Sequence, residues 1–370
     1  MVVARVVVFA VGLLIVQGTL RSALRTVVVP RGEGTRLQRT VVLAMRAFYD
    51  LVARLKRGVS ERERALARFG PTTLLALAAV WAIIVMVGFA AMFWAVSDQD
   101  LRHAVALSGS SLTTLGVRPP NGNAESLLAI TEALIGLGIV ALLISYLPTI
   151  YTLFGRREAQ VVKLDGRAGS PPTALTMLRR FYAIGWIEQM DDEWNTWENW
   201  FAELEESHTS FPILVFFRSQ RENSSWATAA GAVLDTMALS MALVDRPHRP
   251  QTQLTLREGF MALRAIAYFF RIPVDADPKP NDPISIYRGE FDLLCDELAE
   301  IGIPLKPDRE QAWRDFAGWR VNYDAALLGL CALAAAPATP WSSDRSDRFH
   351  RPTLRRPRWV VDPLDNPPSW

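Results

Sequence analysis

From Pro71 to Ser97 the chain carries no charged residue. At about 1.5 Å of rise per residue a helix of that length outlasts a hydrocarbon core of roughly 30 Å, so 71–97 is expected to cross a membrane. A second run, 126–154, holds one charge, Glu132, among Leu127, Leu128, Ile130, Leu134, Ile135, Leu137, Ile139 and Val140, and is expected to cross as well. Half of the residues are hydrophobic, which argues against a simple soluble domain. A third apolar segment, Val6–Leu20, is interrupted only by Gln17 and follows Arg5. It has the length of a signal sequence, but Arg21, Arg25 and Arg31 follow it in place of a small-residue cleavage site, so 1–30 is read as an uncleaved N-terminal transmembrane anchor.

Charge sets the expected direction. Residues 18–70 carry twelve Arg/Lys against four acids, whereas 98–126 carry two against three. The positive-inside rule puts the connector 31–70 in the cytoplasm, the N-terminus and the 98–126 segment outside, and everything after Arg156 inside, in a plasma (inner) membrane. Within the connector, Leu37, Val41, Met45, Phe48, Val52 and Leu55 repeat at helical spacing. That face suits either the inner leaflet or a helix packed on protein. No span has Arg at every third position, so voltage sensing is set aside. The net charge of +2 and the absence of a basic patch argue against nucleic acid as a partner.

Between the two long spans, Ser97, Asp98 and Asp100 supply a helix start, and Leu101–Leu112 has few breakers. Twelve residues reach about half-way through a bilayer. After them Thr113, Thr114, Leu115, Gly116 and Val117 are expected to return as extended chain, with backbone carbonyls and the Thr114 hydroxyl replacing an ion's hydration shell. Irregular backbone at membrane depth lines a channel or cavity. The other reading of 98–126 is an extracellular loop with a Ser/Thr-rich turn.

The stretch Pro71–Leu153 resembles the two-helix pore module of the potassium channel superfamily. Thr113-Thr114-Leu115-Gly116 matches the first part of its filter; Val117 stands where the family has an aromatic residue, Arg118 where it has the second glycine, followed by Pro119-Pro120. The ending is closer to that of cyclic-nucleotide-gated channels, which discriminate poorly among monovalent cations. The resemblance implies a homotetramer passing K⁺ with weak selectivity against Na⁺, with Arg118 at the outer mouth repelling cations unless paired with Asp98, Asp100 or Glu125. Glu132 is expected behind the filter near Thr113 or Ser111, or else at the outer interface in reach of water. Gly136, Gly138 and Pro148 allow either close helix packing or a gating hinge.

The remainder reads as a linker, 155–171, then an all-α cytoplasmic domain, 172–336, with helices at about 172–185, 190–207, 224–244, 255–271, 284–302 and 308–335. A Pro/Arg-rich tail, 337–370, is expected to be disordered or to dock. This half has no Gly-rich strand-to-helix turn and alternating strand patterns are scarce in it, so no cofactor is expected. Glu206 and His208, with Asp235, are weighed as a metal site or base against a plain helix-terminal histidine. Trp194, Trp197 and Trp200 fall along one helical face and read as packing, and Cys295 and Cys331 as structural free thiols.

The expected fold is thus mainly α: an α-helical membrane protein with a two-transmembrane-helix pore module (71–154: outer helix 71–97, pore helix and filter 98–118, inner helix 126–154), an extra N-terminal transmembrane helix and the cytoplasmic domain. The expected function is a cation channel and not an enzyme. The alternatives are a non-conducting, membrane-anchored oligomeric sensor or scaffold and a membrane-tethered enzyme using Glu206 and His208.

Overall fold

The computed structural model describes residues 2–27, 35–56, 58–97, 99–247 and 250–346. Among these the secondary structure is helical, apart from one isolated antiparallel bridge between Val244 and Leu305. The chain divides into two compact units, 1–152 and 153–370. The first runs through α1 (Val2–Val27), α2 (Arg36–Leu55), α3 (Val59–Ala67), α4 (Phe69–Val96), α5 (Leu101–Leu112) and into α6 (Gly122–Ala168). α1, α4 and α6 are long and apolar enough to cross a bilayer, and the chain reads as a membrane protein.

In the first unit α1 lies along α4, and the sequence permits this through two glycines. A Cβ on Gly12 would sit 2.5 Å from the Gly88 carbonyl oxygen, and one on Gly88 would sit 2.7 Å from Val16. Lipid supplies no hydrophobic drive for helices to associate, so such close backbone contact is what dispersion between them requires. Val16, Trp81, Val85, Phe89, Phe93, Leu107 and Ile139 form the core around this crossing. α2 begins at Thr35, whose hydroxyl caps the Gln38 amide, and packs on the start of α4. There the Thr72 hydroxyl donates to Tyr49 Oη at 2.9 Å, and Arg46, paired with Asp50 at 3.1 Å, lies over the Phe69 ring. The connector's apolar face is therefore divided. Val41 is buried and Leu37 and Met45 are partly buried, while Phe48 and Leu55 stay exposed.

The second unit opens inside α6 and adds α7 (Ala174–Ala183), α8 (Met190–Ser210), α9 (Trp226–Ala242), α10 (Pro250–Phe269), α11 (Arg288–Ile301), α12 (Arg309–Arg320) and α13 (Asp324–Ala334). α9, buried along almost its whole length, is the central helix, with Gly231 closely overlaid by Leu327 and Gly259 of α10 by Leu234 and Phe201. Trp194, Trp197 and Trp200 are buried in α8. A charged knot fixes α9 to α12: Arg320, fully buried, donates to Asp235, to Asp324 at 2.8 Å and to the Trp341 carbonyl at 2.7 Å, while Tyr323 donates to Asp235 at 2.7 Å.

Two expectations change. Residues 155–168, read as linker, continue α6, because Arg157, Val161, Leu164 and Ala168 recur at helical spacing and are buried together in this unit. The helix expected over 308–335 breaks at 321–323. Of the two outcomes expected for the tail, disorder or docking, residues 337–346 show docking, with Trp341 against Phe316 and Thr339 and Ser342 buried. Asp98, expected in the α5 cap, and the rest of the tail, 347–370, lie outside the described residues.

Candidate functional site

The site is the segment between α4 and α6. α5 starts at Asp100, whose carboxylate accepts the His103 amide at 2.9 Å. It buries Ala104, Leu107, Ser108 and Ser110. Its position along the two long helices is fixed by side-chain contacts. The Ser108 hydroxyl reaches the Met86 carbonyl at 2.8 Å and Glu132 Oε1 at 2.5 Å. Met86 lies ten residues before Val96, and Glu132 ten residues after Gly122. At 1.5 Å per residue each is about 15 Å in from the end of its helix. One turn further on, a Cβ on Gly136 would lie 2.2 Å from the Leu112 carbonyl oxygen, so the end of α5 rests on the bare backbone of α6 about 21 Å from its start.

Glu132 is fully buried, and its partner is Ser108 and not the expected Thr113 or Ser111. Its Oε2 has no hydrogen-bond partner. The Ser108 hydroxyl has a single proton to share between two acceptors, so this polar pair between three helices is only partly satisfied.

The α5 helix ends in a Schellman turn. Thr114 N–H donates to the Ser111 carbonyl and Leu115 N–H to the Ser110 carbonyl, each at 3.0 Å, with Thr114 in the left-handed region at φ 56°. Thr113 and Thr114, expected as extended chain, therefore form the helix-ending turn, Thr114 in the left-handed conformation. A β-branched residue in that conformation costs on the order of 1 kcal/mol. Thr114 Oγ1 donates to the Thr113 carbonyl and Thr113 Oγ1 to the Gly109 carbonyl. Gly116 is also left-handed, at φ 67°. Arg118 N–H donates to Ser110 Oγ at 3.1 Å and closes the loop back on α5. Residues 113–118 are exposed in the single chain, Leu115 at 70% and Val117 at 72%.

Arg118 forms no ion pair among the described residues. Two of the partners considered for it are engaged elsewhere: Asp100 caps α5 and Glu125 accepts the Asn121 amide at 2.6 Å. Gly136 is a packing position. Gly138 has open space where a Cβ would be, and Pro148 sits inside α6 without ending it. Sequence reasoning missed Ser108 and Ser110; their place on the face of α5 that also carries Ala104 and Leu107 was the available signal.

In the second unit Glu206 and His208 do not converge. Glu206 is exposed and accepts from Ser210, whereas His208 is fully buried, with Nδ1 on the Leu204 carbonyl at 2.9 Å and Nε2 facing Arg157 at 3.1 Å. Burial, and then the Arg157 charge, hold the imidazole pKa well below its usual value. Asp235 belongs to the Arg320 knot, and no group of His, Cys, Asp and Glu suited to a metal occurs among the described residues. Comparison with family models, curated proteins and solved structures finds no match.

Proposed function

We propose that the chain is the subunit of a homotetrameric channel for monovalent cations, with K⁺ permeant and weak discrimination against Na⁺. The observation that carries this reading is the depth of α5. If α4 and α6 cross the bilayer, Ser108 lies about 15 Å in along both, which is half of a hydrocarbon core of roughly 30 Å. The 113–118 loop that follows is irregular backbone at that depth, and such backbone is tolerated only against protein or water. One chain leaves it exposed, so further copies are needed to enclose it, and four would form a ring. The pore module 71–154, a cytoplasmic location for the all-α domain and an outer N-terminus follow from the same reading and from the charge count. Gly138 and Pro148 are then the positions where the inner helix bends on opening.

Purified protein in liposomes should be tetrameric and pass K⁺ and Rb⁺, and Gly116→Val should abolish the flux, because a side chain at φ 67° strains the loop. The exposed Arg118 guanidinium favours a second reading, an oligomeric scaffold that anchors the helical domain without conducting. An intact tetramer with no flux in either protein would select it.

A further inference from the structure

A cavity of about 520 Å³ opens between the C-terminal part of α1, the start of α2 and the middle of α4. Its wall has two chemistries. Leu14, Ile15 and Ile84 form an apolar end, and Arg21, Arg25 and Arg36 a basic one. Leu14, Gly18, Arg21 and Arg25 follow one another at helical spacing along one stripe of α1, over about 16 Å. Gly18 makes the stripe concave, since nothing lies within 4 Å of where its Cβ would be. The basic end is held by a tie between helices: Ser22 Oγ meets Thr35 Oγ1 at 2.7 Å, and Thr26 bonds Gln38. This brings Arg36, in the first turn of α2, to Arg21 and Arg25. None of the three arginines has an ion-pair partner among the described residues, and all are exposed.

From this arrangement we infer that the cavity binds an anionic phospholipid, with the headgroup phosphate on Arg21, Arg25 and Arg36 and an acyl chain along Leu14, Gly18 and Ile84. Three guanidinium groups beside the first turn of a helix match a phosphate in charge and geometry. An apolar trough continuous with them, inside a segment long enough to cross a membrane, matches the chain that hangs from such a headgroup; a free phosphate would leave it empty. Basic clefts between membrane helices take acidic lipid headgroups for this reason. The site needs only that α1 and α4 lie in a bilayer, and it is independent of ion conduction.

The test is native mass spectrometry of the full-length protein in detergent, titrated with phosphatidylglycerol or phosphatidylcholine of the same chains. Wild type should retain phosphatidylglycerol with at least a tenfold preference. Arg21→Gln, Arg25→Gln and Arg36→Gln combined should remove that preference, at about fivefold per charge. Gly18→Trp, which keeps every charge and fills the trough, should also lose the adduct, and millimolar inorganic phosphate should leave the wild-type adduct in place. Equal retention of both lipids by wild type would overturn the assignment. So would full phosphatidylglycerol binding by Gly18→Trp, or displacement by inorganic phosphate, which would mark a simple anion site.

Discussion

Gly136 and Gly138 lie two residues apart in the same apolar helix, yet the structure gives them opposite sensitivities. A Cβ at Gly136 would stand 2.2 Å from the Leu112 carbonyl oxygen and 3.1 Å from its carbon, whereas ordinary contact begins at 3.4 Å. Gly136→Ala therefore forces about 1.2 Å of separation between α6 and the last turn of α5, the difference between those two distances. Overpacking of this kind costs about 1–3 kcal/mol, and the displaced carbonyl belongs to the residue just before Thr113. Gly138→Ala meets open space and exchanges a poor helix former for the best one, a gain of about 0.5–1 kcal/mol. Thermal unfolding of the two purified variants in one detergent should place their midpoints on opposite sides of wild type. The liposome flux of Gly136→Ala should fall with its stability. If Gly136→Ala unfolds at or above the wild-type temperature, α5 does not rest on α6 and the depth argument fails with it.

Ser108→Ala leaves Glu132 Oε1 without its hydrogen bond beside an Oε2 that has none, at a cost of about 1–3 kcal/mol. Glu132→Gln keeps a polar partner for Ser108 and should cost less, an ordering that thermal unfolding of the two variants checks. Arg320→Met strands Asp235 and Asp324 in the core of the second unit, and denaturant unfolding followed by tryptophan fluorescence should show about 3–5 kcal/mol lost. His208 is neutral when folded, with a pKa below that of the unfolded chain, so the unfolded state takes up the proton first. Stability of this unit should be flat above about pH 6.5 and fall by up to roughly 1.4 kcal/mol per pH unit below it. His208→Gln should flatten that slope, and an unchanged pH profile would contradict the burial of the ring.

The membrane helices were legible because charge-free runs of this length have few other uses, and α5 because Asp100 and the lack of breakers mark a short helix. What escaped depends on partners distant in sequence. Residues 155–168 are polar in composition, and only the buried set Arg157, Val161, Leu164 and Ala168 shows that the helix goes on. Thr114 gives no sign of a left-handed conformation, since threonine rarely adopts it. Gly12 and Gly88 are single glycines in apolar runs until their backbones meet, and the basic cavity joins residues from three helices. The Glu206–His208 pairing failed because residues two apart on a helix lie about 200° apart around its axis and do not face each other: one faces solvent and the other the core.

Whether the backbone around Gly116 carries ions is tested most directly by the reversal potential of the purified protein in a planar bilayer under opposed K⁺ and Na⁺ gradients. A cation current reversing slightly toward the K⁺ equilibrium, enlarged in amplitude by Arg118→Gly, is the predicted result. No current from intact tetramers of either protein, or a reversal at the anion equilibrium, would contradict it.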